Sequence, residues 1–253
     1  MMEDILQIKE LSASYEEQQI LEDVCLKVPE GKIFCIVGES GSGKSTLIKA
    51  ITGYPGLIVE SGTVILDGED ITKLPLSARR KLLGRSIGVI PQNPAGSFNP
   101  IKNYAPQIRE TFISHGIEFK RLEIADSFTR MGLKNAEEIL NKKPYELSGG
   151  MNQRVAIASA MLLRPKILLC DEPTSALDVN TQDLVIGEFV KINRSLGTTI
   201  VMVTHNLGLA RRIADGIGIM YKGRIIEQGD CEEIMTSPNE EYTGRLIAAV
   251  PRI

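Results

Sequence analysis

Cysteines are few in this chain and stand far apart. Four occur among 253 residues, and no two form a C-x-x-C pair. Disulfide frameworks and zinc sites both need closely patterned cysteines. The spacing therefore favours free thiols in a reducing compartment over a disulfide set or a metal site. The four are Cys25, Cys35, Cys170 and Cys231.

Long apolar segments are also missing. The longest largely apolar run, residues 155–163, is about half of the ~20 residues that a membrane-spanning helix needs. The first residues, Met-Met-Glu-Asp, are acidic and do not resemble a signal peptide. The net charge of −3 provides no strong attraction to nucleic acid. We expect a cytoplasmic protein of ordinary globular composition that does not bind nucleic acid and reaches a membrane only through partners.

A glycine-rich stretch is the most informative part of the chain. Residues 38–46 read GESGSGKST, between the apolar run 33–37 and the helix-like segment 47–51. This matches the P-loop pattern G-x-x-x-x-G-K-[ST], in which backbone N–H groups and a helix N-terminus bind phosphates. Lys44 can then reach the outer phosphates, and the hydroxyl of Ser45 can hold Mg²⁺. A chance match is the alternative, and the strand before and helix after favour the nucleotide loop.

Two further apolar runs end in reactive side chains. Residues 167–170 are followed by Asp171 and Glu172, and residues 198–203 are soon followed by His205. Ligands of open α/β sheets bind at the carboxyl ends of strands. One of the two acids could hold Mg²⁺ and the other could polarise a water, although adjacent acids on a surface turn are usually only solvated.

Two weaker signals leave alternatives open. Tyr15 stands in a polar, turn-like stretch, 12–19, between short predicted strands at 5–9 and 22–28. It could pack in the protein or stack on an adenine ring. Ser148 precedes two glycines and a predicted helix. This could be an ordinary capped helix or a second place to hold phosphate.

Together these motifs resemble the nucleotide-binding subunit of ABC transporters, and the resemblance covers nearly the whole chain. A leucine-serine-glycine-glycine signature followed by a strand ending in Asp-Glu is specific to that class. The matching segments are Walker A at 38–46, the signature LSGGMNQR at 147–154, Walker B ILLCDEP at 167–173, the D-loop SALD at 175–178, the Q-loop glutamine Gln92 and the switch histidine His205.

The resemblance implies a head-to-tail pair of ATP-binding subunits, identical or different, with each ATP between the P-loop of one and the signature helix of the other. By resemblance, Glu172 is the general base toward the attacking water, His205 contacts the γ-phosphate, and Gln92 is the third catalytic residue. Mg²⁺ is held by Ser45, Gln92 and Asp171. The implied nucleotide-binding residues are Tyr15, Gly38, Glu39, Ser40, Gly41, Ser42, Gly43, Lys44, Ser45, Thr46, Ser148, Gly149, Gly150 and Asp178.

Within that set, the resemblance gives four residues particular roles. Tyr15 matches the aromatic residue that stacks on adenine. Ser148 and Gly150 match residues that contact the γ-phosphate across the subunit interface. Asp178 matches the residue that links the two sites.

The implied fold is α/β, with a P-loop NTPase core built on a mainly parallel sheet, an N-terminal antiparallel β subdomain and an inserted helical subdomain. One domain spans 1–253. Its core with the β subdomain is predicted at 1–92 and 157–253, and the helical subdomain that carries the signature at 93–156. The residues alone support the insertion, since 93–146 shows helical spacing of apolar residues and no strand-like run.

Shorter segments resemble one branch of the family, the peptide/nickel/opine importers. They are 92–100, which reads QNPAGSFNP, and 241–251, which reads EYTGRLIAAVP. The sequence given stops at Ile253 without the cysteine cluster of many peptide importers, which favours the nickel or metallophore type. Two departures from the family pattern, Asn206 in place of the usual Asp and Cys170 before the Walker B acids, are expected to have little effect.

The predicted function is ATP hydrolysis coupled to uptake of a peptide, nickel or metallophore. The predicted partners are two transmembrane permease subunits and, indirectly, an extracytoplasmic solute-binding protein, with this subunit peripheral on the cytoplasmic face of the membrane. ATP and Mg²⁺ are the predicted cofactors. The alternative is a soluble ABC ATPase of the repair or translation type, but the chain shows neither a long coiled-coil insertion nor a second ATP-binding unit. A small-molecule kinase would lack the signature, and a non-catalytic module would not need Glu172.

Overall fold

The computed structural model describes residues 3–175 and 177–249. Ala176 of the predicted D-loop, and Val250 and Pro251 of the segment 241–251, lie outside the described residues. Within the described ranges, no helix has both the length and the apolar character required to cross a lipid bilayer.

Within residues 3–175 and 177–249, ten strands form two sheets. A four-stranded antiparallel sheet has the order β2-β1-β4-β5, and a six-stranded sheet has the order β10-β9-β3-β8-β7-β6. In the second sheet β9, β3, β8, β7 and β6 are mutually parallel, and only β10 runs antiparallel to its neighbour. The strands are β1 (Asp4–Tyr15), β2 (Gln18–Pro29), β3 (Ile33–Val37), β4 (Ile58–Leu66), β5 (Glu69–Asp70), β6 (Ile87–Ile90), β7 (Ile167–Asp171), β8 (Thr199–Thr204), β9 (Gly216–Tyr221) and β10 (Arg224–Asp230).

Ten α-helices accompany the strands in the described residues, with short 3-10 turns at Ile71–Lys73, Pro94–Ser97 and Pro144–Glu146. Between β6 and β7 the chain is helical, as its apolar spacing predicts. The helices are α1 (Lys44–Thr52), α2 (Leu76–Leu82), α3 (Tyr104–Ser114), α4 (Arg121–Arg130), α5 (Ala136–Leu140), α6 (Gly149–Leu162), α7 (Val179–Leu196), α8 (Leu207–Ile213), α9 (Cys231–Thr236) and α10 (Glu241–Ala248).

The central strands are buried along their whole length. Every residue of β3, β7 and β8 is buried, because helices and the second sheet cover both faces of the parallel sheet. This explains why these strands appear in the sequence as continuous apolar runs rather than alternating ones. The arrangement of one mainly parallel sheet, one antiparallel sheet and helices confirms the predicted α/β class.

The predicted polar turn at 12–19 is wrong over most of its length. Strand β1 continues to Tyr15 and β2 begins at Gln18, so only two residues form the turn. Ser12 and Ser14 are buried in β1. Their hydroxyls are paired, since Ser12 Oγ accepts from Asp23 N at 3.1 Å and Ser14 Oγ donates to Glu60 at 2.6 Å. Partners distant in sequence therefore allow polar residues to continue the strand.

Candidate functional site

The loop between β3 and α1 has the backbone of an anion-binding site. Gly41 has φ +82° and Gly43 has φ +106°, values that side-chain-bearing residues rarely adopt. A Cβ at Gly38 would lie 2.1 Å from the carbonyl oxygen of Met220, so only glycine fits there. Helix α1 begins at Lys44 with no side-chain cap at its N-terminus. Its first N–H groups thus remain available for phosphate oxygens.

Lys44 is held inside this loop. Its side chain is only 6% exposed, and Nζ donates to Gly38 O at 2.8 Å, Glu39 O at 2.7 Å and Ser42 Oγ at 3.3 Å. Burial lowers the pKa of Lys44, and nearby carboxylates oppose that shift. Oxygen atoms of the loop therefore hold the ammonium group inside it. An ammonium group in this position can donate hydrogen bonds to the phosphates of a nucleotide.

Ser45 and Asp171 meet where α1 and β7 face each other. Ser45 Oγ donates to Asp171 Oδ1 at 2.9 Å. Burial raises the pKa of Asp171, and the hydrogen bond from Ser45 partly offsets that rise. A hydroxyl and a carboxylate are the oxygen ligands that Mg²⁺ prefers, so the donor set fits this ion. Groups of three or more His, Cys, Asp and Glu with metal-binding geometry are absent from residues 3–175 and 177–249. Mg²⁺ usually binds through one or two carboxylates.

Glu172 stands at the centre of a small hydrogen-bonded group. Its Oε1 lies 2.8 Å from His205 Nδ1, and its Oε2 accepts from Gln92 Nε2 at 3.4 Å. Its backbone N–H donates to Val203 O at 3.0 Å. The backbone of Glu172 has φ +46°, the left-handed region that glycine favours. Strain of this kind concentrates at functional sites, because the surrounding structure must impose it.

Strand order explains why these side chains meet. The four parallel strands β3, β8, β7 and β6 are consecutive in the sheet. At or just after the carboxyl ends of these strands lie, in the same order, the P-loop, His205, the Asp171–Glu172 pair and Gln92. Parallel neighbours end at the same edge, so residues from four distant parts of the sequence lie together.

Tyr15 lies at the end of β1, near α1. Its ring centroid is 5.7 Å from Lys49 Nζ, and its hydroxyl is buried without a hydrogen-bond partner in the described part of the chain. Tyr15 and Gly56 help to line an open pocket of about 580 Å³. The structure therefore places the ring beside the helix that begins at the P-loop.

The predicted signature turn is exposed. Ser148 is the N-cap of α6, and its Oγ accepts from Met151 N at 3.3 Å. Ser148 and Gly149 are exposed, and a Cβ added at Gly149 would meet no atom within 4 Å. The capped-helix interpretation is thus correct for the Ser148 side chain, and the turn remains open to a second molecule.

Two more polar residues serve as helix N-caps. Asp178 accepts from Thr181 N at 3.1 Å and from Thr181 Oγ1 at 2.7 Å, and this hydrogen bonding lowers the pKa of Asp178. Asn206 Oδ1 accepts from Leu209 N at 2.9 Å at the start of α8. Asn and Asp are about equally good N-caps, which explains why Asn206 can replace the usual Asp.

Gln153 is a residue whose importance the sequence did not reveal. It lies in α6, five residues after Ser148, and is 1% exposed. Its Nε2 donates to the carbonyl oxygen of Pro173, the residue after Glu172, and its Oε1 has no partner in the described residues. The signature helix is therefore hydrogen-bonded directly to the segment that carries Glu172. The one sequence feature that could have indicated a role for Gln153 is its position within the signature segment, 147–154.

Comparison with known families and relatives agrees with this geometry. A family described as ABC transporter matches residues 21–175. The oligopeptide transport ATP-binding protein OppD of Bacillus subtilis is 34% identical over 260 residues, which are 98% of this chain and 72% of that protein. OppD of Lactococcus lactis subsp. cremoris is 33% identical over 98% of this chain and 76% of its own length. The dipeptide transport ATP-binding protein DppD of Caldanaerobacter subterraneus is 34% identical over 98% and 79%.

Solved structures show the same fold. An ATP-binding cassette described as dimeric, in a post-hydrolysis state and bound to ADP and Pi, superposes with a TM-score of 0.80 at 28% identity. The match covers 89% of this chain and 98% of that one. The ATP-binding subunit of an ABC transporter superposes with a TM-score of 0.79 at 25% identity, over 96% and 99% of the two chains.

Proposed function

This chain belongs to the ABC transporter family, and we propose that it is the ATP-hydrolysing subunit of a peptide importer. The relatives described above are named for oligopeptide and dipeptide transport, and this supports peptide as the cargo over nickel or a metallophore. The expectation of a nickel type depended on where the given sequence ends, and none of these relatives is named for nickel.

The exposed turn at Ser148 and Gly149 is the observation that carries the proposal. A helix N-terminus that points outward with nothing packed on Gly149 can receive the γ-phosphate of ATP held by another subunit. The solved cassette described as dimeric supports pairing of two subunits. We propose that this pair is head to tail and forms with an identical chain or a different one. Asp178, at the start of α7, would then connect the two sites.

We assign the phosphate-binding roles from the contacts around the P-loop. Lys44 would exchange its hydrogen bonds to Gly38 O and Glu39 O for bonds to the outer phosphates, because its Nζ already lies inside the glycine-rich loop. Ser45, Asp171 and the amide oxygen of Gln92 would hold Mg²⁺, which neutralises charge on the phosphates when it is bound. Tyr15 would stack on the adenine ring, as its position beside α1 allows.

Glu172 is proposed as the general base. Its carboxylate contacts His205 and Gln92, which orient it from both oxygens. The carboxylate would accept a proton from the water that attacks the γ-phosphate. His205, whose side chain is 61% exposed, would contact that phosphate, and Gln92 would sense whether it is present.

Coupling to a permease is supported by an apolar groove beside Gln92. A cavity of about 180 Å³ lies between the segment after β6 and helices α3 and α6, with Pro91, Phe98, Phe112 and Leu163 in its lining. We propose that a short helix of a transmembrane permease subunit docks there. We further propose that the subunit is peripheral on the cytoplasmic face of the membrane and that the cargo arrives on an extracytoplasmic solute-binding protein.

The domain division is likewise a proposal. We divide the chain into a nucleotide-binding core with the β subdomain, 1–92 and 157–253, and a helical subdomain, 93–156. The Gln153 contact with Pro173 would transmit rotation of the helical subdomain to Glu172. Loss of the γ-phosphate would then release the two subunits from each other.

The test uses Glu172→Gln in the full chain, expressed in the presence of its native partners. Removal of a general base slows hydrolysis by about 10²- to 10⁴-fold while ATP still binds. Tagged Glu172→Gln protein extracted in mild detergent should therefore retain, with ATP, a second ATP-binding chain and membrane proteins. Unchanged turnover would refute Glu172 as the base.

A second substitution tests the role of the signature turn. Gly149→Glu, added to Glu172→Gln, places a negative charge against the incoming γ-phosphate without crowding its own subunit. ATP-dependent pairing should be lost. Gly187→Glu on α7 is the matched control, because a Cβ there also meets nothing within 4 Å. Equal pairing in the Gly149 and Gly187 variants would overturn the proposed interface.

A further inference from the structure

A groove remote from the nucleotide site has no role in the proposed mechanism. It lies where the carboxyl-terminal ends of α4, α6 and α7 converge and has a volume of about 690 Å³. Because α7 has 18 residues, this end lies roughly 27 Å along the helix from Asp178. We call it the basic groove. Apolar side chains that line it include Met131, Met161, Leu162, Ile192 and Leu196.

Cationic side chains predominate in the basic groove. Arg130, Arg164, Lys191 and Arg194 line it, against a single carboxylate, Glu188. The groove therefore has a net of three positive charges in a chain whose net charge is −3. A cluster of positive charge in a chain with negative net charge is a local property of this surface.

Glu188 does not neutralise the groove. Its side chain is 7% exposed and bonds Lys191 Nζ at 2.5 Å, with Arg130 Nε 3.9 Å away. Lys191 and Arg130 nevertheless keep 73% and 58% of their side-chain surface exposed. The Glu188 carboxylate thus holds Lys191 and Arg130 in place, while their charged groups remain accessible from the groove.

Helix ends provide an alternative reason for the arginines, because cations are favoured near helix C-termini. Each helix end is equivalent to about half a negative charge. Three such ends would offset about 1.5 of the three net positive charges, so the groove stays positive. Helix capping also does not explain the cavity or its apolar lining.

We propose that the basic groove binds a small organic anion with an apolar body, of the class of medium-chain carboxylates. Ligand pockets of about 300–1,000 Å³ with apolar walls and a few charged groups are typical of small-molecule sites. The apolar lining would contact the hydrocarbon part, and Arg130 and Arg194 would contact the carboxylate. The ligand would touch α4, which follows β6 in the helical part of the chain, and α7, which follows β7, and would tie them together.

The absence of tryptophan allows a direct binding assay. Leu196→Trp introduces a single fluorophore into the lining at a residue that is 48% exposed, where a larger side chain can be accommodated. Octanoate should change its fluorescence saturably, with half-saturation below about 1 mM. Acetate lacks the apolar body and 1-octanol lacks the charge, so each should bind at least tenfold more weakly. If Leu196→Trp does not fold, calorimetric titration of the unaltered chain replaces it.

Charge removal provides the decisive comparison. Arg130→Gln with Arg194→Gln should weaken octanoate binding at least tenfold. Arg80→Gln with Arg245→Gln removes the same net charge from exposed positions outside the lining and should leave binding unchanged. The proposal is overturned if octanoate does not saturate, if 1-octanol binds as well, or if the two double variants bind octanoate equally.

Discussion

The left-handed backbone of Glu172 leads to a stability prediction that is independent of its chemistry. Glu172→Gly and Glu172→Ala both remove the contacts with His205 and Gln92. They differ in the backbone, since φ at this position is +46°. We therefore expect the glycine variant to be the more stable of the two in the absence of nucleotide.

The size of the effect comes from two opposing terms. A residue with a Cβ in the left-handed region costs roughly 1–2 kcal/mol. Alanine in turn restricts the unfolded chain relative to glycine, which favours it by about 0.4–1 kcal/mol. With the middle of each range, about 1.5 against about 0.7 kcal/mol, the glycine variant should be more stable by about 0.8 kcal/mol, or roughly 2–3 °C in Tm for a domain of this size.

Urea unfolding and differential scanning calorimetry of the two variants measure this difference. A matched pair at Glu123, exposed in α4, provides the control. There the order should reverse, with alanine more stable than glycine by about 1 kcal/mol, because glycine is the poorer helix former. An alanine variant at 172 that equals or exceeds the glycine variant would refute the argument that this backbone is strained.

Two further predictions follow from burial and close packing. Burial raises the pKa of Asp171 above its unfolded value, so the wild type loses stability as pH rises through that folded pKa. Asp171→Asn should therefore unfold at a higher urea midpoint than the wild type at pH 7.5, and the difference should shrink toward pH 4. Gly53→Ala should destabilise more than Gly56→Ala in thermal melts, by about 1 kcal/mol. Both have positive φ, but only at Gly53 would the Cβ approach Arg79 Cδ, at 2.8 Å, and disturb the bond from Arg79 Nη2 to Ala50 O.

Local patterns were sufficient to predict the central strands, and the resemblance to the ABC family implied that they are parallel. The strands that end in the P-loop, Asp171 and His205 are continuous apolar runs, because strands covered on both faces need no polar alternation. A buried strand of this kind can therefore be recognised from its own residues, without knowing which strands pair with it. The stretch 12–19 was predicted wrongly as a turn because Ser12 and Ser14 are polar. Their hydrogen-bond partners, Asp23 and Glu60, come close only when the strands pair in the folded protein.

The amino-acid sequence by itself determined the family, the α/β class and the position of the glycine-rich loop between β3 and α1, since these depend on residue types at fixed short spacings. Only the tertiary structure decided which side chains meet. The bond from Gln153 to Pro173 and the group formed by Glu172, His205 and Gln92 join residues 20 to 80 positions apart. The basic groove likewise exists only because three helix ends converge. Such contacts depend on how strands and helices pack, and packing is a property of the whole chain rather than of any segment.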